Sequence, residues 1–258
     1  DYSGTSNYGY NTTLAGLNTK VRVSPDLLLS AVVSWFNITE TETRDIISDI
    51  YLIPDAYNPD YREYLKSALE KGENTLDLSV INITPEITYT NSGHTIKAGA
   101  ELKFSDLRHN FYEEKKEQGG ISIPAAPEVT SYGSQKDLNS YSFYVDDKMN
   151  LGIRTTVDAG LRFTSTPYNN ETFWSPRGSI EYKVTEKFNV NLRAGIYNQP
   201  PFFYELRDLS TEEASTLKSQ KSVHYIAALH YVFKKGLEMR AEFYYKSSAE
   251  MLQVFGEV

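Results

Sequence analysis

Phe188-Asn189-Val190-Asn191-Leu192-Arg193-Ala194-Gly195-Ile196-Tyr197 alternates without a break. Phe188, Val190, Leu192, Ala194 and Ile196 fall on one side, and Asn189, Asn191, Arg193, Gly195 and Tyr197 on the other. Successive side chains of an extended chain point in opposite directions, so this period of two marks a β-strand with two unlike faces. The run from Leu237 repeats it, with Leu237, Met239, Ala241, Phe243 and Tyr245 against Glu238, Arg240, Glu242, Tyr244 and Lys246. Two further runs follow the rule: Leu151, Ile153, Val157, Ala159, Leu161 and Phe163 against Arg154, Thr156, Asp158 and Arg162, and Ile96, Ala98, Ala100, Leu102 and Phe104 against Lys97, Glu101 and Lys103.

Weaker runs bring the expected total to about ten strands, at 8–23, 27–43, 74–90, 95–112, 137–147, 152–165, 173–184, 188–198, 220–233 and 237–248. Five connections are tight: Ser24-Pro25-Asp26, Asn91-Ser92-Gly93-His94, the corner from Lys148 to Leu151, Thr185-Glu186-Lys187 and Lys234-Lys235-Gly236. Longer connections at 44–73, 113–136, 166–172 and 199–219 alternate with them. In an up-and-down meander every second connection lies at the same end, so one end carries tight turns and the other extended loops. Outer-membrane barrels have that asymmetry.

The composition narrows the function classes. Across 258 residues, 26 Lys+Arg face 34 Asp+Glu, a net charge of −8, and no basic stripe is present to bind phosphates, so no nucleic-acid partner is expected. With no cysteine there are no disulfides, thiolate metal sites or thiol nucleophiles. No apolar run approaches the roughly 18 to 20 residues of a membrane-spanning helix. Asp1 to Tyr10 does not read as a signal peptide. Tyrosine, at 20, outnumbers Phe and Trp together at 12 and 2, and such rings suit wet-dry boundaries.

Runs of ten to seventeen residues exceed the five to six usual in a soluble sandwich and reach the roughly 9 to 11 that a bilayer crossing needs. Backbone in hydrocarbon must satisfy its own hydrogen bonds, and for β-strands only a closed barrel does so. The expected fold is therefore all-β, an antiparallel up-and-down transmembrane β-barrel. Its apolar faces would meet lipid, and Arg154, Asp158, Arg162, Arg193, Glu238, Arg240 and Glu242 would line a polar lumen. With a tight turn after the first of ten strands, both chain ends fall at the long-loop end, which reads as an internal part, 1–258, of a larger barrel.

Trp174-Ser175-Pro176-Arg177-Gly178-Ser179-Ile180-Glu181-Tyr182 lies between Asp158-Ala159-Gly160-Leu161-Arg162-Phe163 and Arg193-Ala194-Gly195-Ile196-Tyr197-Asn198-Gln199-Pro200-Pro201. This succession resembles the "GlRy, then sPR, then G-x-y-x-Q-P" order of TonB-dependent outer-membrane receptors. Ser222-Val223-His224-Tyr225 and Glu242-Phe243-Tyr244-Tyr245-Lys246 are similar to the family's next strands. The likeness is strongest over 137–250. It implies about ten strands of a barrel of about 22, closed by an N-terminal plug that is not visible here. It further implies TonB-driven import of a bulky scarce nutrient such as a ferric siderophore, cobalamin or glycan, an outer-membrane location, and contact with membrane lipid and lipopolysaccharide. The glycan-importing subclass that pairs with a surface lipoprotein is not the one it looks like. The alternatives are a ten-stranded outer-membrane protease of the omptin kind and a soluble secreted β-rich binding protein.

Candidate ligand contacts fall on the long connections. In 44–73, Asn58 can cap a helix in which Tyr61, Tyr64, Leu65, Ala68 and Leu69 form one stripe and Gly72 ends it, a lid-like element. Phe202, Phe203 and Tyr204, after Pro200-Pro201, can stack on a ligand, and Tyr51, Tyr57 and Tyr132 are similarly placed aromatics. No catalytic motif, metal-ligand spacing or cofactor fingerprint appears. His224 and His230 lie six residues apart on one strand face, roughly 20 Å, too far to share an ion. The adjacent Asp146 and Asp147 point to opposite faces, which spoils a paired-carboxylate reading.

Overall fold

The computed structural model describes residues 2–52, 63–118 and 126–249, apart from the side chains of 50, 52, 63–65 and 118. Eleven antiparallel strands make one sheet: β1 (Tyr2–Arg22), β2 (Leu27–Leu52), β3 (Glu63–Asn91), β4 (His94–Gln118), β5 (Glu128–Asp137), β6 (Ser140–Leu151), β7 (Thr155–Thr166), β8 (Glu171–Thr185), β9 (Phe188–Gln199), β10 (Gln220–Lys234) and β11 (Leu237–Ala249). Their order is β1-β2-β3-β4-β6-β7-β8-β9-β10-β11, with β5 beside β4. This is the up-and-down meander that the alternation implies. No helix among the described residues is long and apolar enough to cross a membrane.

The longer connections differ from expectation. β2 runs on to Leu52 and β3 begins at Glu63, so Ala68 and Leu69, expected on a helix, lie in a strand. Asn58, Pro59 and Tyr61 lie outside the described residues. Pairing outweighs the local helical stripe here: Ser67 Oγ donates to Asp49 Oδ1 at 2.5 Å, and Arg44 bridges to Glu70 at 3.4 Å. The expected loop 113–136 is largely a hairpin, with Lys115 opposite Glu128 and Asp106 opposite Asp137. Lys66 Nζ on β3 donates to Glu117 Oε1 on β4 at 2.5 Å. The corner expected at Lys148 to Leu151 sits further on, at Gly152 to Arg154, where Gly152 takes the left-handed conformation (φ 76°).

The chain divides into two compact units. Unit 1 holds Asp1–Leu14, Phe36–Val80 and Asp106–Asp137. Its buried side chains include Ile38, Leu76, Leu78, Leu107 and His109, whose Nε2 meets Asn74 Oδ1 at 2.7 Å.

Unit 2 holds Ala15–Trp35, Ile81–Ser105 and Leu138–Val258. All five tight turns belong to it. One face of its sheet is apolar and uncovered: Leu192 is 50% exposed, Tyr225 55%, Phe243 65% and Tyr245 65%. The soluble sandwich would need a second layer over those side chains, and no described residues supply one. Aromatic pairs mark two levels on this face. Phe104–Tyr141 (5.8 Å), Phe163–Trp174 (4.9 Å) and Tyr225–Tyr245 (6.4 Å) lie well along the strands from the tight turns. Phe188–Tyr231 (6.2 Å) and Tyr231–Phe233 (4.7 Å) sit beside the turns. On β8 the levels are marked by Trp174 and Tyr182, eight residues or about 27 Å apart along the strand.

Candidate functional site

The opposite face of unit 2 is polar, and its side chains bond across intervening strands. Asp146 on β6, Gly160 on β7 and Arg177 on β8 are successive register partners. Arg177 reaches over the bare glycine to Asp146, with Nε–Oδ1 at 2.9 Å and Nη2–Oδ2 at 2.7 Å. A Cβ on Gly160 would fall 1.8 Å from Asp146 Oδ1. Tyr144 likewise crosses Gly99, its register partner on β4, to donate to Glu86 Oε2 on β3 at 2.7 Å. A Cβ on Gly99 would sit 2.6 Å from that hydroxyl and 2.8 Å from Pro85 O. A third bond joins Arg162 on β7 to Glu101 on β4. Strand glycines often mark a close approach, and the two here were the available sequence signal for these partners. Glu101 stands on the polar side of its strand as expected, whereas Asp146, Arg177, Tyr144 and Glu86 were not among the expected lumen residues.

The expected lumen residues divide accordingly. Asp158, Arg162, Arg193, Glu238, Arg240 and Glu242 lie on strands, whereas Arg154 lies in the β6–β7 turn, where its carbonyl accepts from Lys183 N. Arg193 Nε donates to Asn191 Oδ1 at 2.6 Å, Arg240 bridges to Glu242 at 2.5 Å, and His230 pairs with Glu238 at 3.0 Å. Asp158, Lys148, Arg177, Glu181 and Arg193 share a polar hollow of about 310 Å³. The histidines have separate surroundings: His94 bonds Asp147, His109 bonds Asn74, His230 bonds Glu238, and His224 packs against Tyr197 with centroids 4.6 Å apart.

Two connections of unit 2 clip together. A single 3-10 turn, Pro167–Asn169, joins β7 to β8, while helices α1 (Phe203–Leu206) and α2 (Thr211–Thr216) lie between β9 and β10. Glu171 Oε2 accepts from Asn169 Nδ2 at 2.8 Å and from Ser219 N and Oγ at 2.9 and 2.6 Å. Asn169 also donates to Leu217 O at 2.9 Å. Ser210 caps α2, with Ser210 N on Glu213 Oε2 at 2.8 Å and Glu213 N on Ser210 Oγ at 3.1 Å. Leu206 of α1 and Ala214 of α2 are buried, and α2 packs against the Pro167–Asn169 turn.

On this platform Phe202 and Tyr204 stack in parallel, centroids 5.3 Å apart and planes at 11°, and both stay about half exposed. Phe203 meets Tyr204 edge-on at 5.9 Å. The other expected aromatics are elsewhere. Tyr132 lies on β5, stacked on Phe111 at 5.1 Å and edge-on to His109 at 5.6 Å. Tyr51 lies on β2, and Tyr64 lies on β3 with its side chain outside the described residues. Tyr57 and Tyr61 also lie outside them. Among the described aromatics, Phe202, Phe203 and Tyr204 belong to the platform, and Tyr51 and Tyr132 do not.

The Tyr168 hydroxyl is buried with no hydrogen-bond partner among the described residues. Burial first, then the Glu171 and Glu205 carboxylates, push its phenol above the ordinary value. Above about pH 10 the unfolded phenol releases its proton while the folded one keeps it. The unfolded loop then binds fewer protons, and stability falls as pH rises. Tyr168→Phe should remove this alkaline loosening and leave stability at neutral pH unchanged or raised by about 1 kcal/mol. Limited proteolysis of 199–219 at pH 7 and at higher pH tests it; equal alkaline sensitivity in both proteins refutes it.

A family model described as TonB dependent receptor-like, beta-barrel, matches residues 1–251. The chain belongs to that family. The family is one of transport receptors, and its barrel accounts for the sheet seen here. No curated protein matches the sequence significantly. Among solved structures, this receptor barrel is similar to the RagAB peptide transporter at 12% identity and TM-score 0.57, over 96% of this chain and 31% of that one. It is similar to the RagAB peptide importer in the closed-closed state at 11% identity and TM-score 0.55, over 94% and 30% of the two chains. For the copper transporter OprC the values are 11% and 0.50, over 91% and 44%. Such identities show a shared fold, and the chain spans less than a third of the first two.

Proposed function

We propose that the chain is an internal part of the barrel wall of a TonB-dependent outer-membrane receptor of a Gram-negative bacterium, importing a bulky scarce nutrient. It supplies about ten strands of a wall of about 22. The observation that carries the reading is the two-faced sheet of unit 2, with one uncovered apolar face between two aromatic levels and one face of bonded polar side chains. An apolar face of this extent is stable against lipid and costly against water. The aromatic levels suit the girdles that flank an outward apolar band of roughly 25 Å. The polar face then lines the lumen, the tight turns lie in the periplasm, and the platform with Phe202, Phe203 and Tyr204 faces outward toward ligand. TonB couples to a plug, and membrane lipid and lipopolysaccharide surround the wall.

These 258 residues hold no cysteine, so single cysteines placed in them test this in a full receptor cleared of any other cysteine. Ser215→Cys should react with an impermeant maleimide on intact cells, and Lys235→Cys only after the outer membrane is opened. Labelling of Lys235→Cys on intact cells would refute the orientation. Uptake through the receptor should cease in cells lacking TonB; its persistence would refute energised import.

A further inference from the structure

One side chain on the apolar face of unit 2 breaks its pattern. The outward rows, as the register sets them, hold Ile96, Ala98, Ala100 and Leu102 on β4 and Phe143, Val145, Asp147 and Met149 on β6. Asp147 is the single Asp, Glu, Lys or Arg in the outward rows of β4 and β6 to β9. It lies six residues from Tyr141, which packs on Phe104 in the level away from the turns, and five from the corner at Gly152. Those spans are roughly 20 and 17 Å along the strand, so the carboxylate stands near the middle of the band. His94, at the start of β4, reaches it: Nδ1 donates to Asp147 Oδ2 at 2.8 Å. The His94 and Asp147 side chains stay 48% and 26% exposed. Oδ1 is turned in against the strands and meets no donor among the described residues. Oδ2 and the Nε2 edge of the imidazole are therefore what the pair offers to its surroundings.

We propose that this pair is the point at which two copies of the receptor meet in the membrane about a two-fold axis, His94 Nε2 of each copy donating to Asp147 Oδ2 of the other. The inference rests on the membrane orientation proposed above. Acyl chains carry neither donor nor acceptor, so lipid alone leaves a carboxylate at this depth uncompensated, which is costly. A protein surface at the site must bring a donor, and this same surface has one. With both ring nitrogens protonated the imidazole donates twice, and the carboxylate oxygen accepts twice. A two-fold then closes four groups into one ring of no net charge, each crossed contact being made twice. The side chains around the pair are small. Ala159 on β7 is the register partner of Asp147, and Ala98 and Ala100 on β4 are those of Val145 and Phe143, so a second backbone can come close. The outward face from β4 to β9 is four inter-strand steps wide, roughly 19 Å, and about 27 Å tall. With the relief of its side chains it approaches the roughly 800 Å² that each partner buries in a stable interface.

The test uses the full receptor in intact cells, with photo-reactive benzoylphenylalanine in place of Val145, beside the pair on β6. It should join two copies, and the same group in place of Phe243, 65% exposed on β11 outside the contact, should not. With the probe at 145, His94→Ala or Asp147→Ala should cut the joined fraction at least tenfold, with heat-modifiable migration intact. Co-expressing these two variants under different epitope tags restores one of the two crossed bonds, so the mixed pair should exceed either like pair several-fold. A role confined to one copy gives no such complementation. Equal joining at the two probe positions, a mixed pair no better than the like pairs, or capture of a different protein in place of a second copy would each overturn the proposal. Should the alanine variants fail to fold, the comparison of positions 145 and 243 decides it. If the chain needs no detergent for extraction, the membrane reading itself fails, whereas a detergent-extracted receptor whose copies never join refutes the dimer alone.

Discussion

Replacing Gly99 by valine is expected to destabilise the barrel by about 3 kcal/mol, the upper part of the range for overpacking a close-fitted site. The first added carbon alone would lie 2.6 Å from the Tyr144 hydroxyl, 2.7 Å from its ring and 2.8 Å from Pro85 O. Moving the ring breaks its bond to Glu86, and the backbone carbonyl cannot rotate aside as a side chain can. Gly160→Ala should be milder, about 2 kcal/mol, because its clash is with the Asp146 side chain, and Arg177, half exposed, keeps water as an alternative partner. The two cases separate in a mutant cycle. Asp146→Ala removes the obstructing atoms, so Gly160→Ala in that background should cost less than about 0.5 kcal/mol, a non-additivity expected of groups in contact. Urea unfolding of the receptor in lipid vesicles measures both effects. Equal cost of Gly160→Ala with and without Asp146 would show that the glycine is not there to let Arg177 pass.

Glu171→Ala should open the loop platform while leaving the strands paired. One carboxylate oxygen holds the side chain of Asn169 and both the backbone and the hydroxyl of Ser219. Hydrogen bonds to a charged acceptor contribute about 1.5 to 3 kcal/mol each in favourable settings, and partial exposure reduces the total here to roughly 3 kcal/mol. Opening is local, so the expected reading is about a hundredfold faster protease nicking within 199–219 with little change in global unfolding. Glu171→Gln keeps one acceptor oxygen and should fall between. Unchanged nicking in the alanine variant would mean that the helices stand without the clip.

The strands near 188–248 were legible because each has one apolar and one polar face. The expected 188–198, 220–233 and 237–248 stand as Phe188–Gln199, Gln220–Lys234 and Leu237–Ala249. The extensions of β2 to β4 were not legible for the same reason. Beyond the expected strand 27–43, Arg44-Asp45-Ile46-Ile47-Ser48-Asp49 mixes polar and apolar side chains on both faces and reads as loop, although Arg44 bridges to Glu70 and Ser67 Oγ donates to Asp49 Oδ1 at 2.5 Å. Such strands are held by partners that a periodicity cannot show. The candidate site was partly legible: Phe202, Phe203 and Tyr204 announce themselves as an aromatic run, but Glu171 and Ser219 lie 48 residues apart and only folding introduces them.

Strict alternation is degenerate. A strand displaced by two residues against its neighbour returns every greasy side chain to the same side, so hydrophobicity alone would accept the error. The two bare positions under Tyr144 and Arg177 lift that degeneracy, because only one setting of β3, β4, β6, β7 and β8 lays a large side chain over each missing one. During assembly they would serve as notches, rejecting mis-threaded hairpins that a purely amphipathic sheet would tolerate.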